Sequence, residues 1–196
     1  MDRANRIRSI VDLIEASGHH CALVGGVAVS IRARERFTKD IDFAVSVESD
    51  SEAEALALSL QRAGYRLEQV FENRAKGLLA TLRFGMPGNR GREPELDLIF
   101  ASSGIEAEVV ASAELLEVLP RLETPVARLH HLIATKVLAE SDVREHDRAD
   151  LQALLAVATE RDLQLARQAL RLIEKRGFAR GKNLEETLDA FVSRRR

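Results

Sequence analysis

The chain has 196 residues, 45% of them apolar and 31% charged, with a net charge of −2. That length allows one compact domain or two small ones, and the apolar share suffices for a core resting on Leu, Val, Ile and Ala, which excludes a disordered chain. A lone cysteine, Cys21, excludes an intrachain disulfide and fits a reducing cytoplasm; with no apolar signal segment and no apolar run near the roughly 20 residues that span a bilayer, a soluble, cytoplasmic protein without a membrane partner is expected.

In chain order, Ile7, Ile10, Val11 and Ile14 recur at helical spacing, and Gly18 stands where a C-cap would end the helix. "CALVG" reads as a short buried strand that runs into Gly25-Gly26, and "GVAVSIRA" as about two turns of helix. "DIDFAVSV" alternates: Ile41, Phe43, Val45 and Val47 take one face, Asp40 and Asp42 the other. "EAEALALSLQRAG" is an amphipathic helix closed by Gly64. "YRLEQVF" and "LLATLRFG" are strands joined by a turn between Asn73 and Gly77. After the loop "MPGNRGREP", "ELDLIFA" alternates again, with Leu96, Leu98 and Phe100 opposite Glu95, Asp97 and Ile99.

Between Pro120 and Pro125 the character changes, and no further strand is expected. Helices are expected near 125–140, 144–158, 162–176 and 183–194. This order predicts an α+β (α/β-like) fold, with a mixed sheet flanked by helices over residues 1–122 and a helical subdomain over residues 123–196. From Arg161 to Arg196 there are ten Lys/Arg against five Asp/Glu. A basic block of this kind suits a solvated helix face and also contact with nucleic acid or a triphosphate.

Two carboxylates two residues apart on a strand emerge from one face and repel. An exposed strand face or turn tolerates that, and a hard cation such as Mg²⁺ resolves it. Asp97 has the same character on a later strand, so three carboxylates from two strands are placed to hold two metal ions. Gly25-Gly26, between a strand and a helix, reads as a turn. It also reads as a place where backbone approaches a ligand and the helix N-terminus meets a phosphate.

"LVGGVAVSIRARERFTKDIDFAV" resembles the signature of the polymerase-beta-type nucleotidyltransferase superfamily, and within it the AbiEii/MenT group of toxin-type nucleotidyltransferases. The resemblance covers residues 22 to 151. It rests on the glycine pair, the Arg36-Phe37-Thr38-Lys39-Asp40-Ile41-Asp42 run, Asp97 in "ELDLIF", Lys136 in "ATKVLAES", and Arg144, Asp147 and Asp150-Leu151. Gly26 stands where the group often has serine, and His146-Asp147 where it usually has Lys-Asp.

The resemblance implies a nucleotidyltransferase sheet and the metal-dependent transfer of a nucleoside monophosphate from an NTP to an acceptor hydroxyl. It implies Asp40, Asp42 and Asp97 as ligands of Mg²⁺ or Mn²⁺, catalysis by these three with Lys136, and nucleotide binding by Gly25, Gly26, Arg36, Thr38 and Lys136. The implied acceptor is an RNA end such as that of tRNA, in a toxin–antitoxin pair with a cognate antitoxin. A small-molecule acceptor of the antibiotic-modifying kind, and a non-catalytic nucleotide- or partner-binding module, are the rival readings.

Other polar residues carry weaker signals. Lys136 projects between Leu129, Leu132, Ile133 and Val137, so it either snorkels to an edge or meets an anion such as a nucleotide phosphate. Asp147 and Asp150 fit helix-face charges paired with Arg144 or Arg148, or a direct catalytic part. Arg32 and Arg34 are expected to face solvent or a target, and Lys76 and Arg83 are within conceivable reach of the cleft. His130 and His131 are expected at the surface, and His19-His20-Cys21 has no zinc-like spacing.

Overall fold

The computed structural model describes residues 3–88, 95–141 and 145–194. The first half alternates helix and strand: α1 (Arg3–Ala16), β1 (His20–Val24), α2 (Gly25–Arg32), β2 (Ile41–Ser46), α3 (Asp50–Arg62), β3 (Arg66–Asn73), β4 (Leu78–Gly85) and β5 (Glu95–Ile99). A short α4 (Glu106–Ala111) and the strands β6 (Glu114–Leu119) and β7 (Leu122–Val126) follow. The rest is α5 (Leu129–Ala139), α6 (Glu145–Val157), α7 (Glu160–Lys175) and α8 (Leu184–Ser193).

The seven strands form one mixed sheet in the order β3-β4-β5-β2-β1-β7-β6. β2 lies at its centre, antiparallel to β1 and parallel to β5. Ile41, Phe43 and Val45 are completely buried on one face of β2, as strict alternation requires of a strand covered by core. α1 supplies Ile7, Ile10 and Ile14 to that core from a single stripe. The mixed α+β sheet and the helices after it are thus as the periodicity predicts.

Strands β6 and β7 depart from expectation, and so does α4. "ELLEVL" and "LETPV" each carry charges, and the second contains Pro125, which cannot donate to a ladder and argues against a strand. The fold accommodates the proline where β7 meets β1 only briefly, at Leu23↔Val126, with Ala127 N–H donating to the Leu23 carbonyl at 3.0 Å. Residue 122 opens β7, so the last strand of the sheet belongs to the sequence segment counted with the helices. α5 accordingly begins at Leu129 rather than 125. Amphipathic α7 buries Leu163, Ala166, Leu170 and Ile173 and starts with a capping box between Thr159 and Asp162.

Leu122 and Val126 are both buried in the sheet. Leu122→Ala is therefore expected to cost about 2–5 kcal/mol of unfolding free energy, read from urea melts. A loss within about 0.5 kcal/mol, the usual range of a surface change, would remove β7 from the core.

Candidate active site

Val24, the last residue of β1, pairs with Asp42 on β2. The chain then turns through Gly25, whose φ is +61°, directly into α2. A Cβ on Gly25 would stand 2.0 Å from the Asp42 Oδ2, and one on Gly26 would stand 2.5 Å from the Arg36 Nη2 and 2.9 Å from the Thr38 Oγ1. Gly25 is therefore required both by its backbone and by its approach to a carboxylate, while Gly26 brings α2 close to a guanidinium and a hydroxyl. The N-cap of α2, Val24, has no side chain able to accept from the first-turn N–H groups, which leaves that end of the helix suited to an anion.

From the loop after α2 into β2 the burial alternates residue by residue. Arg36, Thr38, Asp40 and Asp42 all line one cavity of about 420 Å³, together with Gly25, Gly26 and Lys136. Phe37, between two of them, is 81% exposed. Ser30 pins the start of the run: its hydroxyl donates to the Arg36 carbonyl at 3.2 Å and to that of Gly26 at 3.0 Å.

Asp97 on β5 stands directly opposite Asp42 in the parallel register of β2 and β5. Its neighbour on the other side is Arg83 of β4. Arg83 donates from Nε to Asp97 Oδ1 and from Nη2 to Oδ2, both at 2.8 Å, and its Nη1 lies 3.1 Å from Glu95 Oε2. Arg83 thus reaches the site, whereas the Lys76 ammonium sits over the Phe178 ring at 5.4 Å.

A second charge network comes from the helices. Asp150 on α6, 1% exposed, faces Arg36 and Lys136 at once. Arg36 Nη2 donates to Asp150 Oδ2 at 2.9 Å and its Nε lies 2.7 Å from Oδ1, while Lys136 Nζ lies 2.8 Å from Oδ2. Lys136 also donates to Asp147 Oδ1 at 2.6 Å. So Lys136 meets carboxylates at the cavity wall rather than snorkelling to solvent. Asp150 is no exposed helix-face charge, and Arg148 bonds Glu140 at 2.9 Å. The adjacent-turn spacing of Asp147 and Asp150 was the available signal, but it pointed equally to a local pair. Arg144 lies outside the described residues.

Withdrawal from water pushes the Asp42 carboxyl up to about 7; Asp97 adds to the rise, Lys136 opposes it, Asp40 adds further and Arg83 opposes. An excess of carboxylate that holds a proton near neutrality is a donor set suited to a hard divalent cation, and Asp40 and Asp42 present it to the cavity. Among the described residues no three His, Cys, Asp or Glu side chains stand preformed around a metal position. Arg83 takes both oxygens of Asp97, which is absent from the cavity lining.

Part of the cavity lining was not anticipated. Ala44, Ile99, Val109, Leu138 and Ala139 line it with Ser102, Ser103, Glu106 and Arg180. Glu106 Oε1 accepts from the Ser102 and Ser103 N–H groups and from the Ser103 hydroxyl, and Arg180 donates to the Ser102 carbonyl at 2.9 Å.

Two further expectations are corrected. Arg32 is structural, donating to the Ala127 and Val126 carbonyls and lying 2.6 Å from Glu114. His131 is buried beside Ser112, and that burial pushes it down to about 4. In the basic C-terminal block, Arg167 and Arg171 pair with Asp189 and Glu185, and Arg176 with Glu108.

Compared with known proteins, residues 11–195 match the model of the family described as nucleotidyl transferase AbiEii toxin, type IV toxin–antitoxin system. No curated protein sequence matches the chain. Among solved structures, the fold is shared with an antigenic nucleotidyltransferase-like protein from Paracoccidioides brasiliensis, at TM-score 0.52 and 16% identity over 95% of this chain and 92% of that one. It is also shared with ANT(2")-Ia, solved in complex with adenylyl-2"-tobramycin, at TM-score 0.50 and 16% identity over 98% of each.

Two outcomes test this geometry. Gly25→Ala is expected to lose about 1–2 kcal/mol from left-handed backbone alone, in urea melts, with the Asp42 contact adding to the loss; an unchanged midpoint would contradict it. Between the ordinary carboxylate value of 3.8 and about 7, the folded metal-free chain keeps a proton on Asp42 that the unfolded chain has released. Stability is therefore lost as pH rises through that window. Asp42→Asn is expected to flatten the profile and raise Tm above wild type by several degrees at about pH 8 without divalent cation. Parallel thermal melts of the two proteins against pH read this directly.

Proposed function

The chain belongs to the AbiEii family of nucleotidyl transferases, and from that membership we propose that it moves a nucleoside monophosphate from an NTP to a hydroxyl at an RNA end such as that of tRNA, using a divalent cation held by Asp40 and Asp42. One observation carries the reading. Arg36, Thr38, Asp40 and Asp42 face a single cavity from one alternating run, beside the N-terminus of α2, which has no side-chain cap. Phosphate-binding and cation-binding groups are thereby set side by side, the pairing that a metal–triphosphate substrate needs.

The cavity residues divide the work. Backbone N–H groups at Gly25 and Gly26, with the Thr38 hydroxyl, cradle phosphate oxygens. Arg36 and Lys136, held in place by Asp150, offset the charge that gathers on the leaving pyrophosphate. A bond forms from the acceptor oxygen to the α-phosphorus as the bond to the bridging oxygen breaks, and the hydroxyl proton passes to a carboxylate of the cluster. Bound Mg²⁺ or Mn²⁺ would polarise the phosphoryl oxygens and neutralise developing charge. The protein's own part is positioning and preorganised charge.

The setting follows from the family. An antitoxin is the expected partner, and the chain would work in the cytoplasm, where NTP and tRNA meet. Among the described residues no helix is long and apolar enough to cross a membrane.

The test incubates the protein with each α-labelled NTP, Mg²⁺ and total RNA. Label is expected in RNA with one or more NTPs, falling at least about a hundredfold in Asp42→Asn, the scale of removing one charge-stabilising group. Label that survives RNase would move the acceptor to a small molecule. NTP binding without any product would leave a binding module, and activity undiminished in Asp42→Asn would sink the assignment.

A further inference from the structure

Asp97 is the carboxylate whose position and availability diverge. Register sets it opposite Asp42, yet its two oxygens each accept from the Arg83 guanidinium at 2.8 Å and it is 8% exposed. Arg83 is itself held from three directions. β4 places it across from Asp97, Glu95 lies 3.1 Å from its Nη1, and its guanidinium carbon stands 5.6 Å from the Phe71 ring centre. A bidentate guanidinium–carboxylate pair is among the stronger and more geometrically defined ion pairs, and arginine does not give up its charge. The hydrogen bonds that Arg83 donates to Asp97 hold that charge more firmly still, and Asp40 and Asp42 lie within its field.

A divalent ion bound at Asp97 would share the carboxylate with this fixed positive charge and be repelled by it. The ions of a two-metal site stand about 3.5–4 Å apart and need carboxylates open to both. Asp40 and Asp42 line the cavity and meet that need, while Asp97 does not.

We propose that Arg83 is a built-in cation at the third carboxylate, filling the electrostatic place of a second divalent ion, so that the chain binds one divalent cation rather than two. The inference rests on the metal-dependent reading above. Arg83 is a positioning residue here: it acts through Asp97 and keeps the carboxylate cluster near the charge balance that a single ion completes.

The test counts ions directly. Mn²⁺ replaces Mg²⁺ in the presence of a non-hydrolysable α,β-methylene NTP, and electron paramagnetic resonance reads both the bound equivalents and any Mn–Mn coupling. Wild type is expected to bind one uncoupled Mn²⁺ per chain, and Arg83→Gln a second one spin-coupled to the first. Two coupled ions in wild type, or a count that stays at one in Arg83→Gln, would overturn the inference. Should Arg83→Gln fail to fold, Arg83→Lys keeps the charge and is expected to stay at one; a second ion there would equally overturn it. Wild type binding no Mn²⁺ would bring down the metal-dependent function as well, whereas two ions would leave that function standing.

Discussion

Asp42 has backbone neighbours on both sides that nothing short of the sheet could assemble. Val24 faces it from β1 and Asp97 from β5, and Gly25 turns away so closely that no side chain fits between them. The elbow exists because a carboxylate occupies the space where a Cβ would be. That contact aligns the α2 N-terminus, whose N-cap Val24 offers no side-chain acceptor, beside the acidic face. Moving Asp42 by one register position would turn it into the apolar core, since side chains alternate across a strand.

Around this contact the molecule sets charge against charge. Three carboxylates on one side of the sheet would be costly in company only with each other. The fold answers with Arg83 from β4, locked on Asp97, and with Lys136 from α5 at the other end. Lys136 and Arg36 would in turn repel, and Asp150, nearly sealed from water, sits between them. A buried carboxylate with two cationic partners is held firmly, because removing either would leave the remainder imperfectly compensated. The α5 and α6 residues therefore complete a site begun on β1 and β2, and the cavity draws its walls from both halves of the chain.

This arrangement sets stability against binding. Asp42 is held away from its ordinary protonation behaviour, a cost tolerated where a group has to meet a ligand rather than solvent. Ser102, Ser103, Glu106 and Arg180 add polar groups to the same cavity lining, among apolar side chains such as Ile99 and Val109.

Much of this was legible in one dimension. The period of two through Asp40 and Asp42, the glycine pair between strand and helix, and the 3.6-residue stripes of α1 and α7 are local patterns, and local backbone geometry alone sets which face they share. Those patterns determined the α+β class, the elbow and the acidic face, and the family signature rests on them. The strands β6 and β7 were hidden because a proline and interleaved charges mask a pattern that only their pairing with each other, and of β7 with β1, makes favourable. The partners of Asp97, Arg36 and Lys136 were decided by the tertiary structure. An ion pair depends on distance in space, and residues 114 positions apart, such as Arg36 and Asp150, meet only because strand order and helix docking bring them there.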